Sequence, residues 1–136
     1  MSSAAPAPGR PIPAPVITPE TRPFWEAANE GKLLLPRCRA CGKVHYYPRA
    51  RCPFCGGEAD TWIEAKGEGE IYTYSVMRRA DPPYAIAYVS LTEGVKMLTN
   101  LIGADFDRLA IGQKVRVVFV PSESGQKVPM FTPLLP

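Results

Sequence analysis

From Thr61 onward the chain alternates apolar and polar residues at every second position, the period of strands with one face inward. In Glu70–Arg79, Tyr72, Tyr74 and Val76 fall on one face and Ile71, Thr73, Ser75 and Met77 on the other. Val95, Met97, Thr99 and Leu101 alternate in the same way, and Val115, Val117 and Phe119 form an inward set. The alternation predicts strands over Thr61–Lys66, Glu70–Arg79, Tyr84–Leu91, Val95–Ile102, Lys114–Val120 and Val128–Thr132, with one helical turn near Asp105–Ala110. Asp81-Pro82-Pro83 breaks the chain, and Thr92-Glu93-Gly94 supplies a hairpin turn. Short antiparallel strands with glycine-rich corners, packed into so few residues, predict a small closed barrel of the OB type; a sandwich would be undersized.

Upstream the period changes to that of a helix. Arg22–Glu30 carries Phe24, Trp25 and Ala28 on one stripe, with Thr21 placed as N-cap, Pro23 in the first turn and Gly31 beyond the end. A helix this short does not stand alone in water, so its stripe must dock, on its own barrel or on another subunit. Short strands are expected at Lys32–Arg37 and Val44–Tyr47. Residues 1–19 hold six prolines and a single charge, Arg10. That composition predicts a disordered arm with no continuous apolar signal segment. The expected organisation is thus an arm over 1–19, helix and cysteine-rich module over 20–60, and barrel over 61–136.

The module is CRACGKVHYYPRARCPFC, two C-x-x-C pairs, Cys38/Cys41 and Cys52/Cys55, each followed by glycine. Four soft thiolates in two tight turns suit a closed tetrahedral metal site, zinc foremost, with iron in the same cage as the alternative. A structural site of that kind leaves no open position for substrate. It also uses every cysteine in the chain, so none remains as a nucleophile or for a disulfide. The formal charge of +3 becomes about +1 once four thiolates and a divalent ion are included. Lys32, Arg37, Arg39, Lys43, Arg49 and Arg51 surround the module without an acid between Gly31 and Gly57, interleaved with Tyr46, Tyr47 and Phe54. Such a pattern can bind nucleic acid or compensate the tetrathiolate; the small overall charge favours compensation. His45, the single histidine, is not needed as a ligand. No apolar run reaches the ~20 residues of a membrane helix, and the expected location is the cytoplasm.

The segments RPFWEAANEGKLLLPRCRACGKVHYYPRARCPFCG, GEGEIYTYSVMRRADPPYAIAYVSLTEGVKMLTNLIG and LAIGQKVRVVF resemble a family of acyl-CoA-associated proteins, in which a rubredoxin-like zinc ribbon precedes an OB-fold. The resemblance implies a mainly β protein that is a non-catalytic accessory subunit of a thiolase-like enzyme. Partners of that family condense, transfer or cleave acyl groups on CoA thioesters, steroid side-chain aldolases among them. It implies Cys38, Cys41, Cys52 and Cys55 as metal ligands and supplies no catalytic residue. Phe24, Trp25, Tyr46, Tyr47 and Phe54 are the expected partner anchors, aromatic residues flanked by arginines. Arg78, Arg79 and Lys96 are the cations that could meet CoA phosphates. The competing function, from another class, is nucleic-acid binding.

Overall fold

The computed structural model describes residues 11–59 and 61–134. One helix, α1 (Arg22–Asn29), is followed by β1 (Leu34–Arg37), β2 (Thr61–Glu64), β3 (Glu68–Met77), β4 (Tyr84–Leu91), β5 (Lys96–Leu101), β6 (Lys114–Pro121) and β7 (Lys127–Pro133). A 3-10 turn, Phe106–Arg108, lies between β5 and β6. Strands β3, β4, β5, β7 and β6 close, in that order, into a five-stranded barrel. The mainly β architecture read from the sequence, with an OB-type barrel, is the one present.

The barrel is not wholly antiparallel. β5 and β7 run parallel and meet at one register pair, Leu101 and Phe131. The segment expected as a first barrel strand also lies elsewhere: β2 pairs with β1, Leu34 opposite Glu64 through Arg37 opposite Thr61. No strand forms at Val44–Tyr47, where a single bridge joins Val44 to Arg37.

The parity of β3 departs from strict alternation. Ile71 pairs with Val89 but Thr73 pairs with Tyr88, so Tyr72 is an extra residue on that strand. Such a bulge reverses which positions face inward beyond it. Ile71 is therefore buried, Tyr74 and Val76 are half-buried against the core, and Tyr72 is exposed. The expectation that Tyr72 shares a face with Tyr74 fails for this reason.

α1 ends in a left-handed cap. Gly31 has φ +79°, the Gly31 N–H donates to Ala28 and the Lys32 N–H to Ala27. Those two bonds satisfy carbonyls that a helix end leaves open. At the other end Thr21 makes no side-chain cap; its hydroxyl turns back to the Thr18 carbonyl instead. Phe24, Trp25, Ala28, Leu33 and Leu35 belong to the same buried cluster as Ile71, Val89, Met97, Val115 and Phe131. Helix and barrel therefore share one core.

The first ten residues of the expected arm lie outside the described residues. Over 11–19 there is no regular secondary structure, but the segment is not free of the barrel. The Ile12 carbonyl accepts from the Glu123 N–H at 2.9 Å, and the Ile12 side chain packs against a second apolar cluster of Ile102, Val120 and Met130.

Candidate metal centre

The two cysteine pairs occupy near-equivalent knuckles. In the first, the Gly42 N–H donates to the Cys38 carbonyl and the Cys38 N–H to Lys43; in the second, Gly56 donates to Cys52 and Cys52 to Gly57. Each turn requires left-handed backbone at its glycine, and Gly42 and Gly56 have φ +76° and +79°. The Arg39 N–H donates to the Glu58 carbonyl and laces the first knuckle to the second, and the Ala59 N–H donates to the Ala50 carbonyl at the base of the second.

This lacing brings all four Sγ atoms within 4.8 Å of one another. The Cys38–Cys55 and Cys41–Cys52 sulfurs are 3.5 and 3.7 Å apart. A tetrahedral ion with metal–sulfur bonds of ~2.3 Å needs its sulfurs ~3.8 Å apart, so the cage fits such an ion. Backbone N–H groups already face the sulfurs: Cys41 to Cys38 at 3.4 Å, Phe54 to Cys52 at 3.3 Å and Gly57 to Cys55 at 3.4 Å. The Cys41 N–H is the main reason the Cys38 thiol is held down to about 6. At Cys55 the Gly57 N–H also favours the thiolate, but the Cys38 sulfur and its neighbours outweigh it and push the thiol up to about 11. Successive thiolates thus repel one another, and a divalent cation removes that repulsion. Cys38 and Cys52 are buried while Cys41 and Cys55 are exposed.

The expected partner anchors separate into two groups. Phe24 and Trp25 are 1% and 6% exposed, and so are not available to another subunit. They form an aromatic cluster with the two tyrosines of the module: Phe24 lies 4.9 Å from Trp25, 5.8 Å from Tyr46 and 5.9 Å from Tyr47 between ring centroids. The Trp25 indole N–H donates to the Tyr47 hydroxyl at 3.0 Å. Burial pushes the Tyr46 phenol far up. The stripe on α1 is docked within its own chain rather than on another subunit. Phe54 alone of the five stands well clear of the surface, 59% exposed, with the Lys43 ammonium 5.0 Å from its ring.

The three cations do not form one cluster: Arg78 and the adjacent Arg79 are exposed just past β3, and Lys96 is remote from both. Arg78 pairs with Asp107 at 3.0 Å, both side chains being exposed, and follows the end of β3 where Met77 opposes Tyr84. Lys96 opposes Ser90 at the other end of β4, about 20 Å away at ~3.3 Å per residue. Its ammonium lies over the Tyr72 ring, 4.7 Å from the centroid.

Two features depend on tertiary packing. His45, not needed as a ligand, is 3% exposed and neither ring nitrogen makes a well-formed hydrogen bond. Burial, followed by the Arg49 charge, holds its pKa below the usual histidine range. The other is a clasp between helix and barrel. Gln126 donates to the Trp25 carbonyl at 2.9 Å, and Asn29 both donates to Gln126 and accepts from the Lys127 N–H. Neither signal is local in sequence.

No helix among the described residues is long and apolar enough to cross a membrane.

Two family models abut along this architecture. Residues 25–61 match the ChsH2 rubredoxin-like zinc ribbon domain, and residues 62–120 match the ChsH2 C-terminal OB-fold domain. Among solved structures, the Ltp2-ChsH2(DUF35) aldolase superposes with a TM-score of 0.78 at 33% identity, over 90% of this chain and 100% of that one. A probable enoyl-CoA hydratase alpha subunit of Thermomonospora curvata is 33% identical over 129 residues, 91% of this chain. The chain spans only 40% of that relative's length. The benzoylsuccinyl-CoA thiolase subunit BbsA of Thauera aromatica is 28% identical over 72 residues, half of each chain. Ribbon and barrel together, matched without a gap from residue 25 to residue 120, show that the chain belongs to the ChsH2 (DUF35) family.

Proposed function

We propose that the chain is a non-catalytic accessory subunit, a scaffold that binds a thiolase-like enzyme acting on acyl-CoA thioesters. One observation carries the reading: the whole length of the ChsH2(DUF35) chain of an aldolase superposes on this one. The chemistry of the described residues agrees. The thiols are gathered in one cage and the single histidine is buried, so neither a free thiol nor an exposed imidazole is offered for acyl transfer. The tetrathiolate holds zinc, whose preference for four sulfurs and a closed tetrahedron the cage meets; its role is to fold the ribbon.

Because Arg78 and Lys96 lie at opposite ends of the sheet, they do not form one phosphate site. The enzyme subunit then supplies most of the thioester's pocket, and Arg78, Arg79 or Lys96 contributes at its margin. The aldolase chemistry named for the solved relative, on the steroid side-chain thioesters that the family resemblance implies, is the first to try.

Purifying the tagged chain from its host should bring down a thiolase-like subunit in fixed stoichiometry. The pair should turn over an acyl-CoA thioester that the chain alone leaves untouched. Turnover by the isolated chain would overturn the reading.

A further inference from the structure

The apolar surfaces of this molecule are mostly covered from within. Phe24 and Trp25 are buried in the shared core, and the Ile102/Val120/Met130 cluster is covered by Ile12. The outer face of β3, β4 and β5 is not. Tyr88 opposes Leu98 across the sheet, and both are exposed, at 45% and 51%. The β3 bulge places Tyr72 on the same side, 54% exposed. Lys96 reaches across β4 to the Tyr72 ring, which makes the patch continuous over three strands.

Its charge pattern is that of an interface. Below the rung of Glu70, Ser90 and Lys96, the outward positions are Thr73 with the bulged Tyr72, Tyr88 and Leu98, followed by the rung of Ser75, Ile86 and Asn100. None of these seven ionises near neutrality. The Lys96 ammonium reaches in over Tyr72, and ion pairs lie at the edges: Glu70 with Lys114 at one end, Arg78 with Asp107 at the other. A centre of aromatic, aliphatic and uncharged polar side chains inside a charged rim is the anatomy of a docking surface.

We propose that this β3–β5 face seats the enzyme subunit, and that the surface it receives is apolar and poor in charge. The inference rests on the accessory-subunit reading and adds the place of contact. Two other occupants fit less well. The face covers roughly 300 Å² at ~4.8 Å between strands and ~3.3 Å per residue, short of the ~800 Å² per partner of a stable pair. A second copy using this face alone is therefore too weakly held, whereas a larger subunit can extend over the rim. Single-stranded nucleic acid stacks on aromatics but needs a cationic track, whereas here Lys114 and Arg78 are paired with acids at opposite ends and Lys96 stands over Tyr72.

The test compares tagged wild type, Tyr88→Lys, Leu98→Glu and Phe54→Ser, each purified from the host, with the co-purified thiolase-like subunit identified and quantified by mass spectrometry. Metal content and thermal midpoint establish that each variant is folded; Leu98→Ser replaces any that is not. Recovery of the subunit should fall at least tenfold for Tyr88→Lys and Leu98→Glu and stay within twofold for Phe54→Ser. In the wild-type complex, amide exchange at 84–90 and 96–100 should slow relative to the free chain. Equal recovery by wild type and both face variants overturns the place of contact and leaves the partnership standing. No thiolase-like subunit with wild type overturns the partnership itself. A wild-type dimer that Tyr88→Lys makes monomeric, or oligo-dT binding that Tyr88→Lys abolishes, assigns the face to another occupant and overturns the proposal.

Discussion

Cys38 and His45 are both buried, and their chemistry points in opposite directions. Cys38 is tuned toward its charged form by the N–H groups of its own turn, as a metal ligand must be. Cys38→Ser and Cys52→Ser should each lose the ion, measured as metal per chain by mass spectrometry; full occupancy in either would refute the ligand set. His45 is tuned toward its neutral form. Its folded pKa lies below the unfolded value of about 6.5, so the unfolded state binds the extra proton. His45's contribution is therefore present above about pH 6.5 and is lost as pH falls through that value. Between pH 7.5 and 5.5 the wild-type thermal midpoint should fall further than that of His45→Gln. Parallel curves would mean that His45 titrates as freely in the fold as outside it. The cysteines were legible in the sequence because the spacing within a turn is local. The solvation of His45 was not, since it depends on what the chain folds over it.

Elements were legible to within a residue or two where periodicity is strong, as in β4, whose expected and observed limits coincide. They were less so where tertiary pairing decides. β2 has the alternation of a barrel strand, yet β1 captures it because the ribbon must return to its own start before the barrel begins. The stripe on α1 shows that a face is buried but not against what. Trp25 tests this directly. Being inside the aromatic cluster and hydrogen-bonded to Tyr47, it should cost about 3–5 kcal/mol of stability when truncated to alanine. Affinity for the enzyme subunit, measured at a temperature where the variant is folded, should change little. A variant of native stability and lost affinity would return Trp25 to the interface.

At the scale of the whole molecule, metal and core stabilise different parts. Among the described residues the ribbon between β1 and β2 has only two isolated bridges, Arg37 with Val44 and Arg51 with Glu58. The barrel has ladders at four of its five seams and its own buried residues. Stripping the ion with a chelator should therefore speed amide exchange across 38–58 by orders of magnitude while residues 97–101 keep most of their protection. Uniform loss across both would mean that the ion supports the barrel as well.

The single rung between β5 and β7 has a mechanical consequence. The barrel has one narrow seam there, whereas β6 and β7 are joined over seven residue pairs. The Asn29–Gln126–Lys127 clasp fastens α1 to the β6–β7 side of that seam. The ribbon rides on α1 through Tyr46 and Tyr47. The open β3–β5 face lies on the other side. A partner gripping both ribbon and face would therefore hold the two sides of that narrow seam together, as a buckle holds a strap.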